Sequence, residues 1–311
     1  MSAGAALGPG REFDLIRHLL ARWGSRAQGV GDDAAVLDVP RAARLVASTD
    51  SAIENVHFRR EWLAPEEIGW RAAMAALSDL AAMAAQPLGV LVALSVPDRW
   101  RDDIPALADG IGAAAEEAGA RIVGGDLTGA GELAIGITVL GAAAAPLLRG
   151  GARPGDTIYV TGTLGGPRAA LRAWSRGETP TPAQRERFAR PVARLREAAW
   201  LARHGATAGI DISDGLLADL AHVSVASGVR MAVALDELPV VSGASREDAA
   251  RSGEEYELAV TAPPGLDSLA FERAFGVPLT PIGRVEAGAP GVEATLGGER
   301  VAPGGGWDHF S

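Results

Sequence analysis

The chain has 311 residues, 48% hydrophobic and 22% charged, with a formal net charge of -10 at pH 7. That length suits two domains of about 100–200 residues each, and the apolar content is ample for two cores. The acidic balance excludes nucleic acid as the main partner, because a phosphate backbone is bound by a basic face.

There is no cysteine, and all 29 basic residues are arginine. Thiol catalysis, disulfides, Cys-bound zinc and iron–sulfur ligation are therefore excluded. So are a Walker-A lysine clamp, a protein-kinase strand lysine and a Schiff base. His18, His57, His204, His222 and His309 are scattered and form no HExxH-type pair. Phosphate charge is left to arginine, backbone N–H groups or carboxylate-held metal. The N-terminus lacks a basic-then-apolar signal pattern. No stretch reaches the roughly 20 apolar residues of a membrane span. The sequence reads as a cytoplasmic protein with no membrane partner.

In chain order, Glu12 to Trp23 reads as a short amphipathic helix, and Arg44 to Ser48 as a strand ending in Ser48-Thr49-Asp50. Pro65-Glu66-Glu67 opens a helix, with proline in the first turn and acids at the positive end of the dipole. Ala73, Ala76, Leu77, Leu80 and Ala84 continue it at helical spacing to about Ala85. Leu88 to Val96 is a buried strand, Asp103 to Ala118 a helix, and Arg121 to Val123 a strand closed by Gly124-Gly125-Asp126. Glu132 to Leu140 is a further strand. Ala142 to Pro154 reads as the join between domains 1–145 and 146–311. A strand at Asp156–Thr161 follows, then helices at Pro167–Arg176 and Ala183–His204. A short strand ends at Asp211, a helix runs from Asp214 to Ala226, and strands lie near Arg230–Leu235 and Tyr256–Thr261. Strands alternating with helices in both halves give an α/β (α+β) class.

Oxygen-rich clusters punctuate this pattern. Gly29-Val30-Gly31-Asp32-Asp33 sets two carboxylates after glycines, as a turn or a metal loop. Ser48, Thr49 and Asp50 make a hard-oxygen set suited to Mg²⁺, or a helix N-cap. Asp79 sits in an Ala- and Leu-rich helix, where an unpaired buried carboxylate would cost several kcal/mol; it either faces solvent or has a compensating cation, and the apolar flanks favour the cation. Gly124-Gly125-Asp126 and Asp211-Ile212-Ser213-Asp214-Gly215 allow backbone approach to phosphate with a metal-holding acid, or a turn and a helix cap. Gly162-Thr163-Leu164-Gly165-Gly166 is a weaker phosphate cradle that fits neither a dinucleotide fingerprint nor a P-loop. Arg149 is a phosphate contact or a surface residue. Gly253-Glu254-Glu255-Tyr256-Glu257 enters a strand as a solvated acidic edge or part of a site. Trp307 near the terminus either docks on a core or covers a ring-shaped ligand.

In order, the motifs Gly-Val-Gly-Asp-Asp (29–33), Ser-Thr-Asp (48–50), His57-Phe58, Leu-Ser-Asp-Leu-Ala-Ala-Met (77–83), Gly-Gly-Asp (124–126), Arg149 with Gly155-Asp156, Asp-Ile-Ser-Asp-Gly-Leu (211–216), Gly-Glu-Glu-Tyr-Glu-Leu (253–258) and Trp-Asp-His-Phe (307–310) resemble the thiamine-monophosphate kinase family. The resemblance implies a two-domain aminoimidazole ribonucleotide synthetase-like fold whose N-terminal domains pair in a homodimer. It implies ATP and thiamine monophosphate as substrates, thiamine diphosphate as product, and several Mg²⁺ ions. By motif, Asp33, Ser48, Thr49, Asp50, Asp79, Asp126, Asp211 and Asp214 would ligate metal. Gly125, Asp126, Arg149 and Ser213 would touch ATP, and His57, Glu254 and Trp307 would line the acceptor site. No catalytic residue beyond the metal ligands is implied. The family usually has Gly and Asp where Ser252 and Glu255 stand, and Thr where Leu127 stands. The alternatives are a same-fold enzyme acting on another phosphorylated small molecule, or a non-catalytic nucleotide-binding dimer.

Overall fold

A computed structural model describes residues 11–28, 30 and 37–302. The chain divides into two compact units, residues 1–80 with 85–145, and residues 81–84 with 146–311.

The first unit contains α1 (Arg11–Trp23), β1 (Arg44–Ile53), α2 (Pro65–Ala82, all but its last two residues), β2 (Gln86–Val96), α3 (Ile104–Glu117), β3 (Ile122–Gly129) and β4 (Ala134–Ala143). Its sheet has the order β1-β4-β2-β3. β2 and β3 are parallel, a pairing that needs a crossover, and α3 supplies it. The other two pairs are antiparallel. Alternation divides the sheet into two faces. One face carries the buried Ile135, Ile137, Val139, Val90, Val92 and Leu94. α2 lies over that side: Leu80 reaches Gly141, and Asp79 meets Ser48. The expected spacing implied a one-sided helix. Instead every residue of α2 from Ile68 to Ser78 is buried, and Asp79 is the first that is not.

Two strands run further than expected. β1 continues to Ile53, so Ser48, Thr49 and Asp50 lie in mid-strand, opposite Val139, Thr138 and Ile137 of β4. An edge strand tolerates such polar residues, because one side of it faces water. β3 continues to Gly129, so Gly124-Gly125-Asp126 is strand and not a closing turn. Gly125 permits this, since a Cβ there would lie 1.9 Å from the Val92 carbonyl oxygen.

The second unit contains β5 (Thr157–Thr161), α4 (Gly166–Ser175), α5 (Pro182–Ala189), α6 (Leu195–Arg203), β6 (Ala208–Asp211), α7 (Leu216–Ser227), β7 (Arg230–Ala234), α8 (Arg246–Ala250), β8 (Leu258–Ala262), α9 (Ser268–Phe275), β9 (Leu279–Glu286), β10 (Gly291–Leu296) and β11 (Glu299–Val301). Its sheet has the order β11-β10-β7-β9-β5-β8-β6, antiparallel except for β10–β7. Ile158, Val160, Ile210, Leu217, Leu220, Met231 and Ile282 form one core cluster. Tyr159, Leu201, Leu258, Val260 and Phe271 belong to another.

The single helix expected over 183–204 is two helices. Pro191 lacks an N–H and disfavours helical geometry in Arg190, so α5 ends at Ala189. The extended segment between α5 and α6 carries Arg194 into the core. α7 starts at Leu216 and not at Asp214, because Gly215 (φ 123°) precedes the first turn. Among the described residues, no helix is long and apolar enough to cross a membrane.

Candidate active site

In the first unit, register decides which oxygen donors share a face. Ser48 and Asp50 stand in the rows of Val139 and Ile137, on the α2 side. The Ser48 hydroxyl donates to Asp79 Oδ2 at 2.5 Å. Asp50 is exposed, and its Oδ1 accepts the Ser51 N–H at 2.7 Å. Ser48, Asp50 and Asp79, which belong to two motifs in sequence, thus form one polar patch. Asp126 lies elsewhere. Its row is Ala93, Gly136 and Ser51, on the opposite face. Thr49 shares that face and bonds Thr138 between hydroxyls at 2.9 Å. Yet β1 and β3 are opposite edges, three strand spacings or about 14 Å apart.

His57 follows β1 in a loop pinned from within. Its Nδ1 accepts the Ile53 N–H at 3.0 Å, which leaves Nε2 as the protonated nitrogen of the neutral ring. Glu54 anchors the loop. Its Oε2 accepts from Arg99 Nη2 (2.6 Å) and from the indole of the fully buried Trp100 (3.0 Å). Burial alone would raise the Glu54 pKa, but the bonds from Trp100, Leu133 and Arg99 together bring it below the usual carboxylate value. Phe58 packs edge-on against Trp100, with ring centroids 6.3 Å apart.

In the second unit, two acidic motifs about forty residues apart in sequence lie side by side. Glu254 N–H donates to the Ser213 carbonyl (2.6 Å), and Glu255 and Tyr256 N–H donate to that of Ile212 (3.1 and 2.9 Å). Ile212 N–H returns to the Glu257 carbonyl at 2.8 Å. The 253–257 segment is strained, since Glu254 (φ 61°) and Tyr256 (φ 53°) are both left-handed without being glycine. Such residues cost about 1–3 kcal/mol each and gather at functional sites.

Asp211 is buried at the end of β6, and Asp214 is half-buried in the loop that follows. The residue that organises them is Asp219, which the sequence reading missed. Its Oδ2 accepts the N–H groups of Ser213, Asp214 and Gly215 at 3.1, 3.2 and 3.1 Å. Burial, then the charges of Asp211 and Asp214, push its pKa up to about 8. The only sequence signal is the spacing Asp214-x-x-x-x-Asp219, which also reads as an acid in a first helical turn.

Two expectations for this unit are corrected. Glu255 and Glu257 are not a solvated edge: both are fully buried and paired. Arg194 forks onto Glu257 through Nε (2.8 Å) and Nη2 (2.6 Å). Arg187 Nη2 lies 2.9 Å from Glu257 and 3.3 Å from Glu255. Thr161 also donates to Glu257, at 2.7 Å. Burial raises the Glu257 pKa, but Arg194 and Arg187 outweigh it and hold it at about 2. Glu255 has the weaker share of Arg187, so burial prevails and raises it to about 7. Nor is the 162–166 loop open to phosphate. Gly165 N–H donates to Glu255 Oε1 at 2.5 Å, and a Cβ on Gly162 (φ 65°) would lie 2.2 Å from a Glu257 carboxylate oxygen.

Arg149 is exposed, and its carbonyl accepts from Ser227 at the far end of α7. About 18 Å of helix separates it from the Ser213 end, so the fold does not bring Arg149 and Ser213 together. Asp32, Asp33 and Trp307 lie outside the described residues.

Hard oxygen donors suit Mg²⁺. Ser48, Asp50 and Asp79 supply them in the first unit, and Asp211 and Asp214 in the second. The like charges around Asp219 are what a cation would relieve. Among the described residues, no three His, Asp or Glu side chains form a ready cage.

Comparison with known proteins gives this arrangement a class. Residues 31–143 match the family described as AIR synthase related protein, N-terminal domain, and residues 153–294 match its C-terminal domain. The fold is therefore the two-domain AIR synthase-related fold. Within that class the chain is similar to the thiamine-monophosphate kinase of Salmonella typhimurium, with 35% identity covering 96% of this chain and 98% of that one. It is also similar to the solved thiamine-monophosphate kinase of Stenotrophomonas maltophilia (36% identity, TM-score 0.82, 94% and 98% of the two chains). A third likeness is to AaThiL complexed with AMPPCP and TMP (30% identity, TM-score 0.76, 96% and 97%). The chain belongs to the thiamine-monophosphate kinase family.

Proposed function

We propose that this enzyme is a thiamine-phosphate kinase. It transfers the terminal phosphoryl group of ATP to the phosphate of thiamine monophosphate, giving ADP and thiamine diphosphate. The observation that carries the reading is the fold shared across 96% of the chain with AaThiL, a protein solved with AMPPCP, an ATP analogue, and TMP. The paired loops 211–215 and 253–257 support it from within, by setting metal-type acids beside a strained turn.

A phosphate monoester has a second pKa near 6 and is mostly dianionic at pH 7, so its oxygen needs no strong general base. The obstacle is charge. Two unit charges 4 Å apart repel by about 4 kcal/mol at an effective dielectric of 20. Bound Mg²⁺ would screen both phosphates and stabilise an in-line displacement. Asp33, Ser48, Thr49, Asp50, Asp79, Asp126, Asp211 and Asp214 would hold the ions. Gly125, Asp126 and Ser213 would meet the nucleotide, with Arg149 at its far end. His57, Glu254 and Trp307 would receive the acceptor. In this reading residues 1–145 form the domain that binds nucleotide and metal.

The same reading includes a homodimer. One copy keeps Asp126 and the Thr49–Asp50 pair on opposite sheet edges, further apart than one ion reaches. A second copy laid edge to edge would bring one chain's Asp126 toward the other's Thr49 and Asp50.

The decisive experiment incubates purified protein with ATP, Mg²⁺ and thiamine monophosphate and follows thiamine diphosphate. ATP binding without product would sink the reading. A phosphorylated protein trapped during turnover would overturn direct transfer.

A further inference from the structure

We infer that Glu255 is a positioning residue for the acceptor side of the site: its buried carboxylate ties the 162–166 loop and Arg187 to the turn that presents Glu254. The inference rests on the kinase reading and adds to it a residue that touches no substrate.

The turn needs such a tie. Glu254 and Tyr256 are both held at positive φ, and backbone bonds to Ile212 and Ser213 fix only one side of the segment. Strain of this kind persists where the surroundings over-determine it. Glu255 stands between the two strained residues and is 1% exposed. Its Oε1 accepts the Gly165 N–H, and Arg187 reaches both its Oε2 (3.3 Å) and its backbone carbonyl (3.2 Å). Ser252, also buried, donates to the Gly253 carbonyl (3.4 Å) and favours the ionised form of the same carboxyl group. Side chain and backbone are thus gripped from two chain segments, 162–166 and α5. Glu257 differs. Arg194 and Thr161 saturate it, and it anchors the start of β8 whatever Glu255 does. The groups facing Glu255 are Arg187, Ser252, the Gly165 N–H and Glu257; of the three that favour its charge, Arg187 acts most strongly.

Glu255→Gln keeps the shape and the acceptor for Gly165 but loses the charge that draws Arg187, also held by Glu257, to this turn. In steady-state kinetics the KM for thiamine monophosphate should rise about tenfold, with the KM for ATP and kcat within twofold, the pattern of lost uniform binding to one substrate. Ser252→Ala, a milder change, should move the same constant two- to threefold. In parallel, amide hydrogen exchange should quicken together in 162–166 and 253–257 of Glu255→Gln while 44–53 stays unchanged. Equal loss for both substrates, or quickened exchange in only one of the two loops, would overturn the role and leave the kinase reading standing. Wild-type protein that makes no thiamine diphosphate would end both.

Discussion

The two units handle acidic side chains in opposite ways. In the first, Asp50 and Asp126 sit exposed on sheet edges, and Asp79 is half-buried with Ser48 as a partner. In the second, Asp219, Glu255 and Glu257 are sealed from water, and each is bound by arginine or by backbone N–H groups. The difference separates two uses of the same chemistry. An acid at a strand edge leaves lone pairs for a ligand and adds little to the fold. An acid in the core must satisfy its own lone pairs, so it shapes the backbone around it.

The hardest test of that contrast is Arg194→Met. It leaves Glu257 buried with only part of its compensation, and should cost about 3–5 kcal/mol of stability in urea unfolding. A loss below 1 kcal/mol would break the distinction. Asp79→Asn should do the reverse. Turnover should fall on the order of 100-fold, the scale that loss of even an outer-shell metal partner can reach. The thermal midpoint should stay close to wild type, and an unfolded variant would show Asp79 to be structural. Asp219→Asn is expected between these extremes. With its pKa raised to about 8, Asp219 carries little charge at pH 7, and Asn keeps an acceptor oxygen for the three N–H groups. The change should cost about 1 kcal/mol, and should raise the Mg²⁺ concentration needed for half-maximal protection in a thermal-shift titration.

A pH series reads the same contrast more finely. Glu257 is depressed from 4.5 to about 2, so its contribution is present above pH 4.5 and disappears as pH falls through about 2. Glu255 is raised from 4.5 to about 7, so its contribution is full below pH 4.5 and is lost as pH rises through about 7. Stability should therefore decline between pH 4.5 and 7, and Glu255→Gln should flatten that decline. An unchanged slope in the variant would mean that another group carries it.

Much of the fold was legible because local signals agreed. Pro65 with its following acids opens α2, and the apolar run 88–96 is β2. One departure has a local mark: Pro191 splits 183–204 into two helices. The others come from information that is not local. The burial of Glu255 and Glu257 depends on Arg187 and Arg194, more than sixty residues earlier in the chain. No window around 253–257 reveals them. Strand pairing likewise decided that Asp50 and Asp126 face opposite ways. Beyond Thr261 no clear period marks α9, β9, β10 and β11, because Pro and Gly break that stretch into short pieces. Ser252 and Glu255, the two departures from the family motif at this turn, are both buried within it.

The split of donors between the two edges of the first sheet has a genetic consequence. If two copies share each site, Asp50→Asn and Asp126→Asn are defects of different halves. In a mixed dimer of the two variants, both lesions fall in one site and the other site is whole. Two alleles that are each dead should then complement in one cell, and random reassortment of a symmetric dimer would restore about a quarter of full activity.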